Sequence, residues 1–447
     1  MGPEIISILV LVVMFVIATT MPVNLGALAL VGAFGVGMLV LGLDAEQVML
    51  GVPDGDEITG GFPGDLFVLL VGLTYMFALA TANGTVDLLV HASMRLVRGR
   101  VALVPWVFFF LTTGLSAIGA LFAVAIVAPL AMPFARRHGI SLLLMGMMVV
   151  HGALGGAFSP ISVYGAFVNE TMVGNGLPSS PATLFLTPLL INIVIGAVIY
   201  VVLGGWGLRG RRAVIAANGP AEDGVAENAG GGPAPDGAGG ATTVVAAPPA
   251  VGREQVVTLV GLLVLAVGAV SGLDVGVLSV TIAVVLRLLA PRRPDVVAQV
   301  SWSTVLLICG VITYVGVLTA AGTIEFVSSG ITAIGAPLLA ALLLCYLGGV
   351  LSAFASSVAI LGVAIPLALP FLQQGDVSAV GMVAALAVAA TVVDVSPFST
   401  NGALVLANAP ADVDRDRFYR QMLAYAGIVV VAGPLLAWAV LVLPGLL

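Results

Sequence analysis

Two stretches have the residue types and spacing to bind a small polar solute inside an apolar protein. They are Ser159-Pro160-Ile161-Ser162-Val163-Tyr164-Gly165 and Ser396-Pro397-Phe398-Ser399-Thr400-Asn401-Gly402. In a helix, proline deletes one backbone hydrogen bond and glycine loosens the other side, so each stretch breaks its helix and frees amides and carbonyls. Freed helix N-termini attract a carboxylate, and freed carbonyls attract a cation. Around the breaks set by Pro160 and Pro397, the side chains of Ser159, Ser162, Ser396, Ser399, Thr400 and Asn401 add neutral donors and acceptors. One Ser-Pro in a helix is commonly only a kink whose hydroxyl bonds the preceding turn, but two copies at equivalent places point to a substrate site. Tyr164 stands where Asn401 stands in the second copy, so the copies contribute unequally.

Asp394 is the only acid placed deep in an apolar segment, where ionisable groups are costly and mark function by default. It reads either as the holder of a cation or proton, or as a structural acid bonded to the backbone of the break. His151 precedes Ser159 by one to two turns and reads as a packed, neutral histidine rather than a proton relay.

Other chemistries are excluded or disfavoured by what is missing. The chain contains no lysine, so it has no P-loop. Its three histidines and two cysteines have no metal-ligand or redox spacing, and no cofactor is expected beyond a co-transported Na+ or H+. A net charge of −7 argues against nucleic acid.

The elements that position the two breaks are membrane helices. The chain is 60% hydrophobic and 8% charged over 447 residues, with a mean hydropathy of +1.20. A water-soluble fold would have to expose much of that apolar surface. Runs such as Ile5 to Thr20, Leu25 to Leu43, Leu66 to Ala82, Leu184 to Leu203 and Ile428 to Leu443 approach or reach the ~20 residues needed to cross a bilayer. The first run has an acidic leader and no small-residue cleavage site, so it reads as a retained span. Residues 205–254, rich in Ala, Gly and Pro, read as a flexible linker.

The halves on either side of the linker, 1–204 and 255–447, resemble each other when slid by about 237 residues. Thr81-Ala82-Asn83-Gly84-Thr85 matches Thr319-Ala320-Ala321-Gly322-Thr323, Pro129 to Pro133 matches Pro366 to Pro370, and the two breaks match each other. The predicted fold is therefore an all-α polytopic membrane protein of two repeats, each with five transmembrane helices, one of them broken, and one re-entrant hairpin. The hairpins fall at about 103–133 and 336–370, and the broken helices at about 141–173 and 378–408. Short amphipathic stretches, Val86 to Val97 and Ile324 to Ile334, precede the hairpins.

With hairpins that enter and leave on one side, all 15 arginines fall on one face, whereas single crossings would divide them nine to six. The positive-inside rule makes that face cytoplasmic, with the linker. Both termini and the acidic segment Asp44 to Asp65 then lie outside, and five crossings per half invert the second repeat. No arginine lies inside the predicted spans, so neutral donors, helix termini and a co-transported cation would have to hold a dianion.

At these residues the sequence resembles the malonate and dicarboxylate carriers of the ion transporter superfamily, relatives of the divalent anion/sodium symporters. The resemblance is strongest through Gly61 to Gly72, Met148 to Gly152, Tyr164-Gly165 and Ser396 to Ala403. It implies a homodimer of the bacterial inner membrane that works like an elevator. It also implies cation sites where hairpin tips meet the broken helices, here Gly119 and Ala120 with Gly165, and Asp394 with Gly402, while Ser356 and Ser357 of the second tip join the substrate site. The first tip, Gly119-Ala120-Leu121, lacks the side-chain oxygen of the family pattern, which leaves protons or a single sodium open as the coupling ion. The expected function is cation-coupled uptake of a small dicarboxylate such as malonate or succinate. The alternatives are a cation/proton antiporter or inorganic-ion carrier on the same scaffold, and a non-transporting membrane scaffold, which the paired breaks disfavour.

Overall fold

The computed structural model describes residues 2–54, 57–95, 100–208, 252–289, 296–332, 336–353 and 377–445, with Ser357, Ile360, Leu361, Gly362, Ala364, Ile365, Ala368 and Leu372. Most of the linker, most of the second hairpin's return arm and Ser356 lie outside the described residues.

The first half begins with α1 (Pro3–Thr20), α2 (Leu25–Leu39) and α4 (Gly64–Ala82), with a short α3 (Ala45–Leu50) and strands β1 (Val52–Asp54) and β2 (Glu57–Thr59) before α4. An amphipathic α5 (Thr85–Arg95) leads into a hairpin, α6 (Val104–Ala117) and α7 (Ala123–Arg137). The broken helix is α8 (Leu142–Gly156) and α9 (Val163–Gly174), and α10 (Pro181–Val202) completes the half. The same order recurs as α11 (Arg253–Val270), α12 (Val275–Leu289), α13 (Trp302–Ala320), α14 (Thr323–Thr332), hairpin arm α15 (Pro337–Ser352), broken helix α16 (Ala379–Val392) and α17 (Thr400–Ala407), and α18 (Arg415–Leu441). Even the caps recur, since Ser141 and Ser378 each accept a backbone N–H at the start of α8 and α16.

Three expectations change in detail. The offset between halves is 250 residues for the first two helices, from Pro3 to Arg253 and Leu25 to Val275, and falls to 238 from α4 to α13. The longer connection containing α3 and an antiparallel β-hairpin, Val52 opposite Thr59, accounts for the difference. The segment Asp44 to Asp65 is therefore a structured insert, with Asp44 capping α3 through the Gln47 N–H at 2.8 Å. Arginines also enter the helices, at the last turn of α12 (Arg287) and the first turns of α18 (Arg415, Arg417, Arg420), though only near their ends.

Packing across the halves is reciprocal. α4 lies along α12 and α2 along α13. A β-carbon on Gly26 would clash with the Leu306 backbone, one on Gly310 with Gly26, and one on Gly72 with Ser279. Small residues there let the helices approach closely, the usual means of helix association in lipid. Polar links follow the same reciprocity. The Ser7 and Thr323 hydroxyls bond at 2.7 Å between α1 and α14, and the Asn83 amide donates to Thr258 of α11 at 2.7 Å just before α5.

Both broken helices run through the protein centre, where α8 from Leu144 to Gly156 and α16 from Gly381 to Val392 are buried throughout. Gly152 and Gly156 seat α6 on α8, because a side chain at either would strike the Phe109 or Thr113 carbonyl. Outer helices instead present apolar rows, such as Leu186, Leu190, Val194 and Val198 on α10 and Ile428, Val431 and Leu435 on α18. Among the described residues, four helices (α4, α10, α13 and α18) are long and apolar enough to cross a bilayer alone. The arrangement is that of an integral membrane protein whose polar breaks face inward rather than lipid.

Candidate functional site

Each break is a short non-helical turn pinned by its own backbone. The Ser162 hydroxyl donates to the carbonyls of Ala157 and Ser159 and accepts the Gly165 N–H at 3.2 Å, capping α9. The Ser399 hydroxyl donates to the Ser396 carbonyl at 2.7 Å. The hydroxyl oxygens of Ser159 and Ser396 accept the N–H groups two residues on, Ile161 at 3.4 Å and Phe398 at 3.2 Å. All four serines are buried. Gly165 and Gly402 permit these turns, because a β-carbon there would collide with the Ser159 or Ser396 carbonyl folded back onto the next helix. Pro160 and Pro397 sit in the turns themselves.

A small open cavity of about 50 Å³ forms where the breaks meet the hairpin tips. Leu121 and Phe122 come from the first tip and Ser357 from the second; Tyr164 comes from α9, Asp394, Thr400 and Asn401 from the second break, and Thr304 from α13. Asp394 is 5% exposed. Its carboxylate accepts the Asn401 side-chain amide at 2.9 Å and the Asn401 backbone N–H, at the start of α17, at 3.3 Å. It is the sole charged group lining the cavity among the described residues, which otherwise offers neutral hydroxyl, phenol and amide groups.

A second cavity of about 210 Å³ lies across the first tip and shares Leu121 and Phe122 with the first. Thr74 and Thr81 of α4, Gly119, and Gln299 and Ser301 before α13 also line it. Gly119 takes φ +105°, a conformation that a side chain would disfavour, and so forms the hairpin turn. Ala120 is buried beneath the tip.

Of the residues singled out from sequence, Asp394, Thr400, Asn401 and Ser357 converge on the first cavity, and Gly119 lines the second. Of the four break serines, Ser162 and Ser399 donate their hydroxyls to local carbonyls, and Ser159 and Ser396 accept local N–H groups. Tyr164, Leu121, Phe122 and Thr304 were not among the predicted site residues. Tyr164 carried a signal, its match to Asn401 in the repeat, whereas Thr304 carried none. His151 lies away from the cavity, fully buried, with Nδ1 bonded to Asn192 at 2.8 Å and Nε2 to the Tyr425 hydroxyl at 2.7 Å. It ties α8 to α10 and α18.

The comparisons agree with this geometry. Residues 1–157 match the family model for the dicarboxylate carrier protein MatC N-terminus. That match covers α1 to α8 and stops at the first break. No curated protein matches the sequence significantly. Among solved structures, the YdaH transporter of Alcanivorax borkumensis aligns over 84% of this chain and 84% of its own, with a TM-score of 0.53 and 14% identity. At that identity the likeness is one of fold. The first third of the chain thus matches a carrier's N-terminal region, and the chain shares its fold with a solved transporter.

Proposed function

We propose that the protein is a cation-coupled secondary active transporter of small dicarboxylates, malonate or a C4 diacid such as succinate. The observation that carries this reading is the convergence of both broken helices and both hairpin tips on one neutral cavity with a single carboxylate, in a chain whose first 157 residues match a dicarboxylate carrier model. Thr400, Asn401, Ser357, Tyr164 and the α17 N-terminus supply donors to the substrate carboxylates. A substrate carboxylate ~4 Å from an ionised Asp394 would be repelled by about 4 kcal/mol at an effective dielectric of ~20. A proton or Na+ on Asp394 removes that repulsion and couples the two fluxes.

Reciprocal pairing of α2 with α13 and α4 with α12 supports two inverted repeats, 1–204 and 255–447, joined by a cytoplasmic linker. On that topology both termini face outward at the bacterial inner membrane, and transport proceeds by an elevator movement within a homodimer. Purified protein in liposomes is expected to accumulate labelled malonate or succinate under an inward Na+ or H+ gradient; no gradient-dependent uptake of either would refute the proposal. The buried Asp394 also suits a cation/proton antiporter. Asp394→Asn separates the two, since an antiporter loses all activity while a dicarboxylate site keeps substrate exchange.

A further inference from the structure

The two broken helices place different side chains at one position. Tyr164 and Asn401 each stand second in the helix after the break, two residues beyond Ser162 and Ser399, and both line the cavity. Asn401 is short, and its amide turns back onto Asp394. Tyr164 reaches farther. Its ring packs edge-on against Phe158 with centroids 5.6 Å apart. Its hydroxyl end shares the cavity with Ser357 of the second hairpin, and Ser357 accepts from Ser352 at 2.9 Å. Ser352 and Ser357 are both buried. The phenol thus packs at its ring against its own half and meets the other half at the cavity.

We propose that Tyr164 sets the length of diacid the cavity accepts. The ring is the wall against which the ligand chain ends. The hydroxyl is a neutral donor to the ligand carboxylate: Ser357 accepts from Ser352 and so has its own O–H to donate as a hydrogen bond to the phenol oxygen, which leaves the phenolic O–H for the cavity. Asparagine has half as many side-chain heavy atoms as tyrosine, so a cavity with asparagine on both sides would be longer and more nearly symmetric. The inference rests on the dicarboxylate reading and adds to it the residue that selects within the class.

The test is competition of malonate, succinate, glutarate and adipate against labelled uptake in liposomes, with thermal stabilisation of detergent-solubilised protein by the same acids as a readout independent of transport. Wild-type protein is expected to favour the short acids over adipate by tenfold or more, the scale on which a packed pocket discriminates added methylenes. Tyr164→Asn is expected to reduce that ratio at least tenfold by admitting the longer acids. Tyr164→Phe keeps the wall and loses the donor, so it is expected to keep the length preference while weakening every diacid by roughly tenfold. Unchanged length preference in an active Tyr164→Asn protein, or unchanged affinity in Tyr164→Phe, overturns the role of Tyr164 and leaves the dicarboxylate reading standing. Wild-type protein that takes up no diacid overturns both. If Tyr164→Asn does not fold, Tyr164→Leu, which also shortens the wall, takes its place with the same expected loss of length preference.

Discussion

Replacing Asp394 with asparagine removes a charge while keeping the shape of the break. The carboxylate accepts two hydrogen bonds, from the Asn401 side chain at 2.9 Å and the Asn401 backbone at 3.3 Å. The two bonds go to different carboxylate oxygens, so the asparagine oxygen keeps the backbone N–H while its NH2 donates to the Asn401 side chain once that amide flips; charge-assisted bonds of ~1.5–3 kcal/mol become neutral ones of ~0.5–1.5 kcal/mol. The expected net loss is about 1–2 kcal/mol of local stability, too little to unfold a buried helix break. Coupling suffers far more, because asparagine can neither take up a proton nor balance a sodium ion. With a tenfold inward gradient of one monovalent ion, the driving force is ~1.4 kcal/mol, worth tenfold accumulation. Asp394→Asn should lose that accumulation while retaining exchange of labelled for unlabelled diacid across the same liposomes. The assay compares counterflow with gradient-driven uptake, each with and without Na+ and over a range of pH. Accumulation equal to wild type would show that Asp394 does not couple. Loss of counterflow in folded protein would show that the carboxylate serves the break or the substrate instead.

Three further outcomes follow from the packing. Gly402→Ala and Gly165→Ala should each destabilise by ~3 kcal/mol or more, because their β-carbons meet carbonyls that cannot move without opening the break. Gly114→Ala, with nothing within 4 Å, should be neutral or mildly stabilising; thermal unfolding followed by size-exclusion chromatography measures all three. Tyr425→Phe deprives the buried His151 Nε2 of its partner and should cost ~1–3 kcal/mol with no change in the ion dependence of uptake; altered coupling would assign the histidine a relay role. The surface pair Arg136–Asp412, at 2.8 Å, joins the return arm of the first hairpin to the loop before α18. The Arg136 hydrogen bond holds the Asp412 carboxyl below its usual range. A depressed folded-state pKa contributes stability above the unfolded value and loses it as pH falls through the folded one. Asp412→Asn should therefore lower thermal stability slightly at neutral pH, with the difference vanishing in high salt and in acid.

Hydropathy, the Ser-Pro breaks and the matched blocks were enough to place the helices, because membrane spans and proline breaks are encoded locally. The first broken helix was expected at about 141–173 and occupies Leu142 to Gly174 with its gap after Gly156. The second hairpin was legible only in part, since most of its return arm lies outside the described residues. The insert before α4 was read as an acidic loop because six-residue α3 and two three-residue strands are too short to show periodicity.

The composition of the cavity was decided by tertiary contacts. A serine in a broken helix can close its own turn or point across the gap, and residue type does not choose between them. Here the glycines at 165 and 402 bring carbonyls within reach, so Ser162 and Ser399 donate to their own turns. Thr400, Asn401 and Asp394, one helical start away, are left facing the opening. Thr304, Leu121, Phe122 and Ser357 join them from three other elements, which only the packing of the halves brings together. The sequence alone therefore determined that this is a membrane protein with two paired, broken helices. The three-dimensional structure decided which side chains those breaks present, because the cavity is lined from elements far apart in sequence that only the packing of the halves brings together.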